Sequence, residues 1–427
     1  MVMTIFRGHW ATYRGVLILA VVSAFVLLAA CGGGGSNSTS IGGGGGSTNN
    51  VQAISVNGGP VAGQDYADAA FTSVTICVPG STTSCATVDG ILVDTGSVGL
   101  RILGSAIPSL NLPQLAGSGS TTYYNCVSFV DGSYLWGPVA QADVELGGEK
   151  ASSASVQVIE DPTGFTVPTA CSNGGVDEDN LQGLGANGIL GVGGYPQDCG
   201  IACATDPSPN IYFTCLQSGS CQSSTITVAQ QVVNPITKFT TDNNGVLIEL
   251  QSVDGESATA TGSMIFGIGT ETNNALGSAN VYPINSSNGF FTTTFNSQSL
   301  TESFIDSGSN GYFFPDASIT QCAGNSIAPG FYCPANTVNL TAQNVTQSGA
   351  QNTVNFSVDN AVNDFNNFGS DSAFANLAGP NGTSNCGSGT PCGFDFGLPF
   401  FYGRPIFTSI YGQSVPSGAP AAPWWAY

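Results

Sequence analysis

Two short segments of this chain repeat one another. Gly90-Ile91-Leu92-Val93-Asp94-Thr95-Gly96-Ser97-Val98-Gly99-Leu100 is echoed by Ser303-Phe304-Ile305-Asp306-Ser307-Gly308-Ser309-Asn310-Gly311-Tyr312. Each is an apolar run followed by Asp, a hydroxyl residue, Gly and Ser, with another Gly two residues on and more apolar side chains after it. Such a run buries as a strand, the glycine lets the chain turn and approach other atoms closely, and the hydroxyls orient the carboxylate at the tip. The offset from position 94 to position 306 is 212 residues, one copy per half. The pattern therefore predicts two lobes of common plan, 51–235 carrying Asp94 and 236–427 carrying Asp306.

Composition agrees with strands and turns. Of 427 residues only 8% are charged, 58 are Gly, and Ser/Thr/Asn-rich stretches separate short runs of Val, Ile and Phe. Strands are predicted at 70–78, 90–93, 140–146, 156–159, 246–250, 264–267 and 292–295. Asn243-Asn244-Gly245 predicts a tight hairpin turn, and helices are predicted at 228–233, closed by Asn234-Pro235, and at 372–377. No helix alternates regularly with strands, which argues against a doubly wound α/β sheet. The predicted class is mainly β.

The first 30 residues have the form of a signal peptide, with Arg7 and Arg14 ahead of an apolar stretch at 16–28 that is short for spanning a bilayer. Leu28-Ala29-Ala30-Cys31 resembles the bacterial lipobox, in which the chain is cut before the cysteine and that sulfur is acylated. An uncleaved anchor with an incidental cysteine is the competing reading. Residues 31–50 then form the lipidated Cys31 and a flexible Gly/Ser/Asn tether. Gly at position 32 rather than Asp resembles lipoproteins bound for the outer membrane. Twelve cysteines remain of the 13, an even number in an oxidising compartment. Short separations suggest Cys77 with Cys85, Cys215 with Cys221, Cys322 with Cys333 and Cys386 with Cys392, leaving Cys126, Cys171, Cys199 and Cys203 to pair among themselves.

Without the signal, 4 basic residues face 27 acidic ones, so nucleic acid is excluded as a partner on charge. The single histidine, His9, lies in the signal, which removes Ser-His-Asp and Cys-His catalysis and imidazole zinc sites. No metal and no cofactor is expected. Gly183-Leu184-Gly185-Ala186-Asn187-Gly188 has dinucleotide-loop spacing without a following helix, Asp177-Glu178-Asp179 is read as a solvated acidic loop, and Arg101 as half of a structural ion pair. The chemistry of a carboxylate pair requires no histidine, metal or covalent nucleophile, and two Asp-hydroxyl-Gly-Ser turns facing each other would bring their carboxylates together. Held close they cannot both ionise, so one acts as base on a water while its protonated partner bonds a peptide carbonyl.

These segments resemble the pepsin-like aspartic proteases, whose two lobes each contribute an Asp-Thr/Ser-Gly turn. Further stretches match in order. Asn187-Gly188-Ile189-Leu190-Gly191-Val192-Gly193 is similar to the family's apolar-apolar-Gly strand beside the first aspartate. Phe129-Val130-Asp131-Gly132-Ser133 is similar to its flap hairpin, Gly262-Ser263-Met264-Ile265-Phe266-Gly267 to the strand opening its second lobe, and Phe394-Asp395-Phe396-Gly397 to the second apolar-Gly strand. The resemblance covers most of 51–427 and implies a bilobed fold with two barrel-like lobes. It implies catalytic Asp94 and Asp306 supported by Thr95, Gly96, Ser97, Ser307, Gly308 and Ser309, with Ser97 and Ser309 bonding the outer carboxylate oxygens. The cleft would be covered by Phe129, Asp131, Gly132, Tyr134 and Trp136. Phe129 stands where the family has a tyrosine, a role Tyr134 or Trp136 would have to fill, and Asp395 stands at an apolar place. More narrowly, the lipobox and Gly397-Leu398-Pro399-Phe400-Phe401-Tyr402-Gly403-Arg404 resemble a family of bacterial lipoproteins of unassigned function. The expected activity is endopeptidase action on extended polypeptide by a monomer, against a peptide-binding or structural envelope protein without turnover.

Overall fold

The computed structural model describes residues 49–129, 132–159, 165–286, 288–346, 348–381 and 392–427. The signal, Cys31, the tether up to residue 48, Asp131 and Cys386 lie outside the described residues. The first part of the chain forms strands β1 (Val51–Val56), β2 (Ala70–Cys77), β3 (Cys85–Asp94), β4 (Val98–Leu103), β5 (Thr121–Ser128), β6 (Tyr134–Leu146), β7 (Glu149–Ile159), β8 (Gly188–Val192), β9 (Tyr212–Leu216) and β10 (Cys221–Ser223). There follow β11 (Gly245–Leu250), β12 (Glu256–Ser257), β13 (Ala260–Phe266), β14 (Val281–Pro283), β15 (Phe291–Phe295), β16 (Gln298–Ile305) and β17 (Tyr312–Phe313). The last are β18 (Val338–Val345), β19 (Gln351–Val358), β20 (Ala373–Phe374), β21 (Ala378–Gly379), β22 (Asp395–Phe396), β23 (Ile406–Ser409) and β24 (Trp424–Ala426).

Strands β2, β3, β8, β4, β7 and β6 pair in that order, and β6 returns to β2, closing a barrel. A second, nearly closed barrel runs β19-β18-β15-β16-β22-β17-β21. Between them lies a sheet of β1, β13, β11, β23, β24 and β14, joined to the first barrel where β1 meets β2. The fold is thus mainly β, with two barrel-like lobes. The segment 262–267 belongs to the connecting sheet, where β13 pairs with β1 and β11 rather than with strands of the second barrel.

The duplication seen in the sequence is also a duplication of topology. In the first barrel β3 runs parallel to β8, with Leu92 beside Ile189 and Asp94 beside Gly191; β8 is antiparallel to β4, and β4 parallel to β7. In the second, β16 runs parallel to β22 with Phe304 beside Asp395, β22 is antiparallel to β17, and β17 parallel to β21. Asp395 therefore occupies the register of Ile189. Strand β8 is buried at every position, as expected of a strand flanked on both edges and both faces. Strand β15 alternates instead, with Phe291, Thr293 and Phe295 buried and the threonines between them half-buried.

Two predicted helices and one turn are not found. Residues 228–233 hold only a short turn at Val228–Gln230, because the amide of Val232 bonds the Tyr212 hydroxyl and that of Val233 bonds Ser155. β-branched residues with lateral partners do not coil. Residues 372–377 include β20, which pairs with β12, while the nearby helix is Ala361–Asn367, capped by the Asn360 side chain. The Asn243-Asn244-Gly245 stretch is no hairpin turn: β11 pairs with β13 and β23, and the Asn244 side chain bonds Ile268 and Ser414.

The disulfides Cys77–Cys85, Cys215–Cys221 and Cys322–Cys333 form as the spacing suggested, and the remaining four cysteines pair as Cys126–Cys171 and Cys199–Cys203. Cys392 is disulfide-bonded, its expected partner Cys386 lying outside the described residues. These bridges place the chain among exported, non-cytoplasmic proteins. Among the described residues no helix is long and apolar enough to cross a membrane. The Cys126–Cys171 bridge spans 45 residues and Cys77–Cys85 only 8. Loop-closure entropy then predicts that replacing the first pair by serines costs roughly 4 kcal/mol and the second roughly 2.5 kcal/mol. Denaturant unfolding of the two double variants checks this order.

Candidate active site

The two Asp-hydroxyl-Gly-Ser turns meet at the junction of the barrels. Thr95 and Ser307 exchange hydrogen bonds across it: the Thr95 amide donates to Ser307 Oγ at 3.1 Å and the Ser307 amide to Thr95 Oγ1 at 2.9 Å. Thr95 Oγ1 in turn donates to the Ile305 carbonyl at 3.2 Å, and Ser307 Oγ to the Val93 carbonyl at 2.8 Å. Each hydroxyl accepts from one lobe's backbone and donates to it again, so both buried turns have their polar groups satisfied by the other.

This exchange brings the carboxylates together. The Gly96 amide donates to Asp94 Oδ1 at 2.8 Å and to Asp306 Oδ1 at 3.1 Å, and the Gly308 amide to Asp306 Oδ1 at 2.8 Å. Both turns need glycine here, since a Cβ at Gly96 would strike the Asp306 carboxylate and one at Gly308 would lie 2.8 Å from Asp94 Oδ1. Burial first, and then the neighbouring carboxyls of Asp94 and Asp395, push the Asp306 carboxyl well above the usual range, against the lowering pull of the Gly308 amide. The two carboxylates thus lie close enough for the charge on one to act on the ionisation of the other. Ser309 Oγ donates to Asp306 Oδ2 at 3.2 Å, as the sequence suggested. Ser97 does not match it: among the described residues neither Ser97 Oγ nor Asp94 Oδ2 has a hydrogen-bond partner.

The hairpin of β5 and β6 has the register Ser128 to Tyr134, Val127 to Leu135 and Cys126 to Trp136. Its two faces do different things. Val127, Phe129 and Leu135 pack with Leu92 and Ile189, directly over the strands that enter the first aspartate turn. Tyr134 and Trp136 point to the opposite face, with Trp136 stacked on Tyr124 and edge-on to Phe213, and Tyr134 bonded to Asp177. They do not fill the place of a flap tyrosine, because alternate residues of a strand face opposite ways. Phe129 is the aromatic on the carboxylate side, and Gly132, at positive φ, forms the exposed bend beyond it. Asp94 and Asp306 are themselves fully buried.

A cavity of about 640 Å³ opens beside them, lined among others by Thr95, Gly96, Phe290, Phe304 and Trp425, with Asp198 at one wall. Asp198 anchors a buried network: Arg101 Nη2 lies 3.1 Å from it, Asn125 Nδ2 donates at 3.1 Å and the Tyr212 hydroxyl at 2.6 Å. Arg101 thus makes the structural ion pair read from the sequence. Asp177, of the acidic loop, bonds the Tyr134 hydroxyl instead of facing only solvent, and the Gly183–Gly188 stretch leads into strand β8. Hydrophobic periodicity alone carries no sign of the cavity or of the Asp198 network, since their members come from distant strands and loops.

Residues 46–427 match the family described as protein of unknown function (DUF3443). The chain belongs to it. Curated proteins give no match to this DUF3443 chain. Among solved structures it is similar to an aspartic proteinase from Irpex lacteus, at 17% identity and a TM-score of 0.46, over 84% of this chain and 93% of that one.

Several buried carboxyls of this DUF3443 chain hold their protons more tightly than in an unfolded chain. Burial raises Asp306, Asp395 and Asp68 well above 3.8, Asp177 to about 6 and Asp364 to about 7. Asp143, bonded by Ser153, Gly80 and Lys150, and Asp206, bonded by Ser208, are lowered and act oppositely. A raised carboxyl contributes stability that is fully present below its unfolded value and is lost as pH rises through the folded one. With raised groups in the majority, the unfolding temperature is expected to be higher near about pH 5 than near about pH 8. Thermal scans across that window check it, and a profile rising with pH would contradict it.

Proposed function

We propose that this chain is an exported aspartic endopeptidase that hydrolyses peptide bonds with the Asp94–Asp306 pair and a water molecule. The observation that carries this reading is the single Gly96 amide donating to the inner oxygens of both carboxylates. Groups so close hold one proton between them at working pH. The ionised member takes a proton from water as its oxygen bonds to the carbonyl carbon, and the protonated member gives its hydrogen to the carbonyl oxygen. One carboxyl then gives a proton to the amide nitrogen while the other takes one from a hydroxyl of the tetrahedral diol, the C–N bond breaks, and acid and amine leave with the pair again holding one proton. Preorganised turns suit this work because nothing about them has to rearrange when charge develops. The cavity beside Gly96, with Phe290, Phe304 and Trp425 in its wall, suits an apolar side chain of an extended substrate. Since both carboxylates are buried, turnover requires the cavity beside them to open further to a substrate.

A second reading, peptide binding without turnover, is favoured by that complete burial and by Phe129, which has no ring hydroxyl to offer a substrate. Denatured casein incubated with the purified protein from about pH 3 to pH 7 separates the two. The protease reading expects cleavage that pepstatin blocks and that Asp94→Asn or Asp306→Asn lowers by roughly 10²–10⁴-fold. Peptide capture unchanged by Asp94→Asn, with no cleavage at any pH, would replace it with the binding reading.

The same proposal includes a lipid tether. Acylation of Cys31 would hold a monomer at the outer membrane through residues 31–50, a reading supported by the lipobox-like Leu28-Ala29-Ala30-Cys31 and by the oxidised cysteines of the folded part. Cys31→Ser is expected to move the protein from the membrane fraction to the soluble fraction and to abolish incorporation of labelled fatty acid. Unchanged fractionation would refute the tether.

A further inference from the structure

Asp395 is a third acid at the site, and the strand pairing fixes which way it points. Phe394 and Phe396 flank it and stack on each other at 4.1 Å inside the second barrel, with Phe394 also stacked on Phe314 at 4.9 Å. Alternation along β22 therefore turns Asp395 to the opposite face, the one that carries its neighbour Phe304 and, two residues on, Asp306. The side chain is about 1% exposed, and among the described residues neither of its oxygens is in hydrogen-bonding geometry, although Ser309 Oγ lies near enough to act on its ionisation. The polar atom beside it is Ser309 Oγ. Ser309 has one hydroxyl hydrogen, and that hydrogen serves Asp306 Oδ2 at 3.2 Å.

An ionised carboxylate sealed in with no donor is among the most costly things a fold can contain. A neutral carboxylic acid in the same place has a hydrogen to give and an acceptor, the lone pair of Ser309 Oγ, to receive it. The groups facing Asp395 leave it no cation. Asp306 comes from the strand alongside, Asp94 from the other lobe, and β17 on its far side sets Phe313 opposite it, the adjacent Tyr312 having its hydroxyl bonded to Arg404.

We propose that Asp395 is a positioning residue that stays protonated and heads a directed hydrogen-bond chain, Asp395 O–H to Ser309 Oγ and Ser309 O–H to Asp306 Oδ2. Burial raises the Asp395 carboxyl, Ser309 pulls it down and the nearby Asp94 charge raises it again, with burial the largest, so the balance favours the protonated form. The chain commits the Ser309 hydrogen to Asp306 and so stabilises the charge when it resides there. If Asp395 lost its proton, the Ser309 hydrogen would turn toward the new charge and Asp306 would lose its donor, with a second negative charge beside it. This inference rests on the reading of Asp94 and Asp306 as a proton-sharing pair, and it adds the group that sets how that pair titrates.

The test is a pH titration of the aspartate side-chain carboxyl carbons by NMR on full-length protein, which needs no turnover. Asp395→Asn keeps a donor to Ser309 without a charge; Asp395→Leu supplies what the equivalent position of the first lobe has in Ile189, and Ser309→Ala breaks the chain. We expect the Asp395 carbon to keep its protonated shift through neutral pH in the wild type. We expect Asp395→Asn to leave the Asp306 titration in place, and Asp395→Leu and Ser309→Ala to move it to higher pH. An Asp395 carbon that is ionised at neutral pH overturns the proposal. So does a downward displacement of the Asp306 titration in both Asp395 variants, which would mean that Asp395 carries charge, and so does an Asp395→Leu titration identical to the wild type. Asp94→Asn separates this from the underlying reading: if it leaves the Asp306 titration untouched, the pair itself fails. Should Asp395→Leu not fold, the wild-type, Asp395→Asn and Ser309→Ala titrations still decide.

Discussion

The reciprocal exchange between Thr95 and Ser307 is the contact on which everything else at the site depends. It is made of backbone amides and short side chains buried from solvent, where an unmade hydrogen bond costs about 1–3 kcal/mol. It therefore tolerates very little drift. Two barrels held only by apolar contact would slide by fractions of an ångström, and a pair of carboxylates meeting at one amide cannot survive such sliding. The polar clasp supplies the direction that hydrophobic burial lacks. A second clasp works at a distance: Asp68, from the loop between β1 and β2, accepts from the Phe374 amide at 2.8 Å and from the Tyr402 hydroxyl at 2.5 Å, tying the first part of the chain to the last.

Around that junction the molecule concentrates acid where most folds exclude it. Asp94, Asp306 and Asp395 lie within one buried neighbourhood whose other polar members are hydroxyls and amides. Arg101, a buried cation, is committed to Asp198. In the chemistry proposed here protons, rather than counter-charges, neutralise such an arrangement. The scarcity of basic residues in the sequence and the chemistry of the site are in this respect the same fact.

Much of this was legible before any coordinates. The two turns, their glycines, the strand classes and three of the disulfides follow from local chemistry: apolar runs, residues tolerant of bends, and cysteines separated by hairpin-sized intervals. What was not legible depended on partners far away in the chain. Val228 to Val233 looks helical until Tyr212 and Ser155 claim its amides, and Tyr134 and Trp136 look like cleft residues until the hairpin register assigns them to its other face. Asp395 looked like a misfit in an apolar strand, and only the neighbouring strand, which sets Phe304 beside it, turns the misfit into a member of the site.

The first strand carries a consequence for how such a chain comes into being. Val51 to Val56 run against β13 in six consecutive pairs, from Val51 opposite Ile265 to Val56 opposite Ala260, so the earliest folded segment to emerge has its main partner some two hundred residues behind it. Until that partner arrives, one long edge of β1 has nothing to bond, and the closure entropy of the intervening loop must be met before any ladder rewards it. The connecting sheet cannot be completed before β13 is available, although the closed barrel of β2, β3, β8, β4, β7 and β6 lies wholly within residues 70–192. Until the chain has been made past residue 265, the edge of β1 that β13 will cover stays open, and an open β-edge invites pairing with other chains.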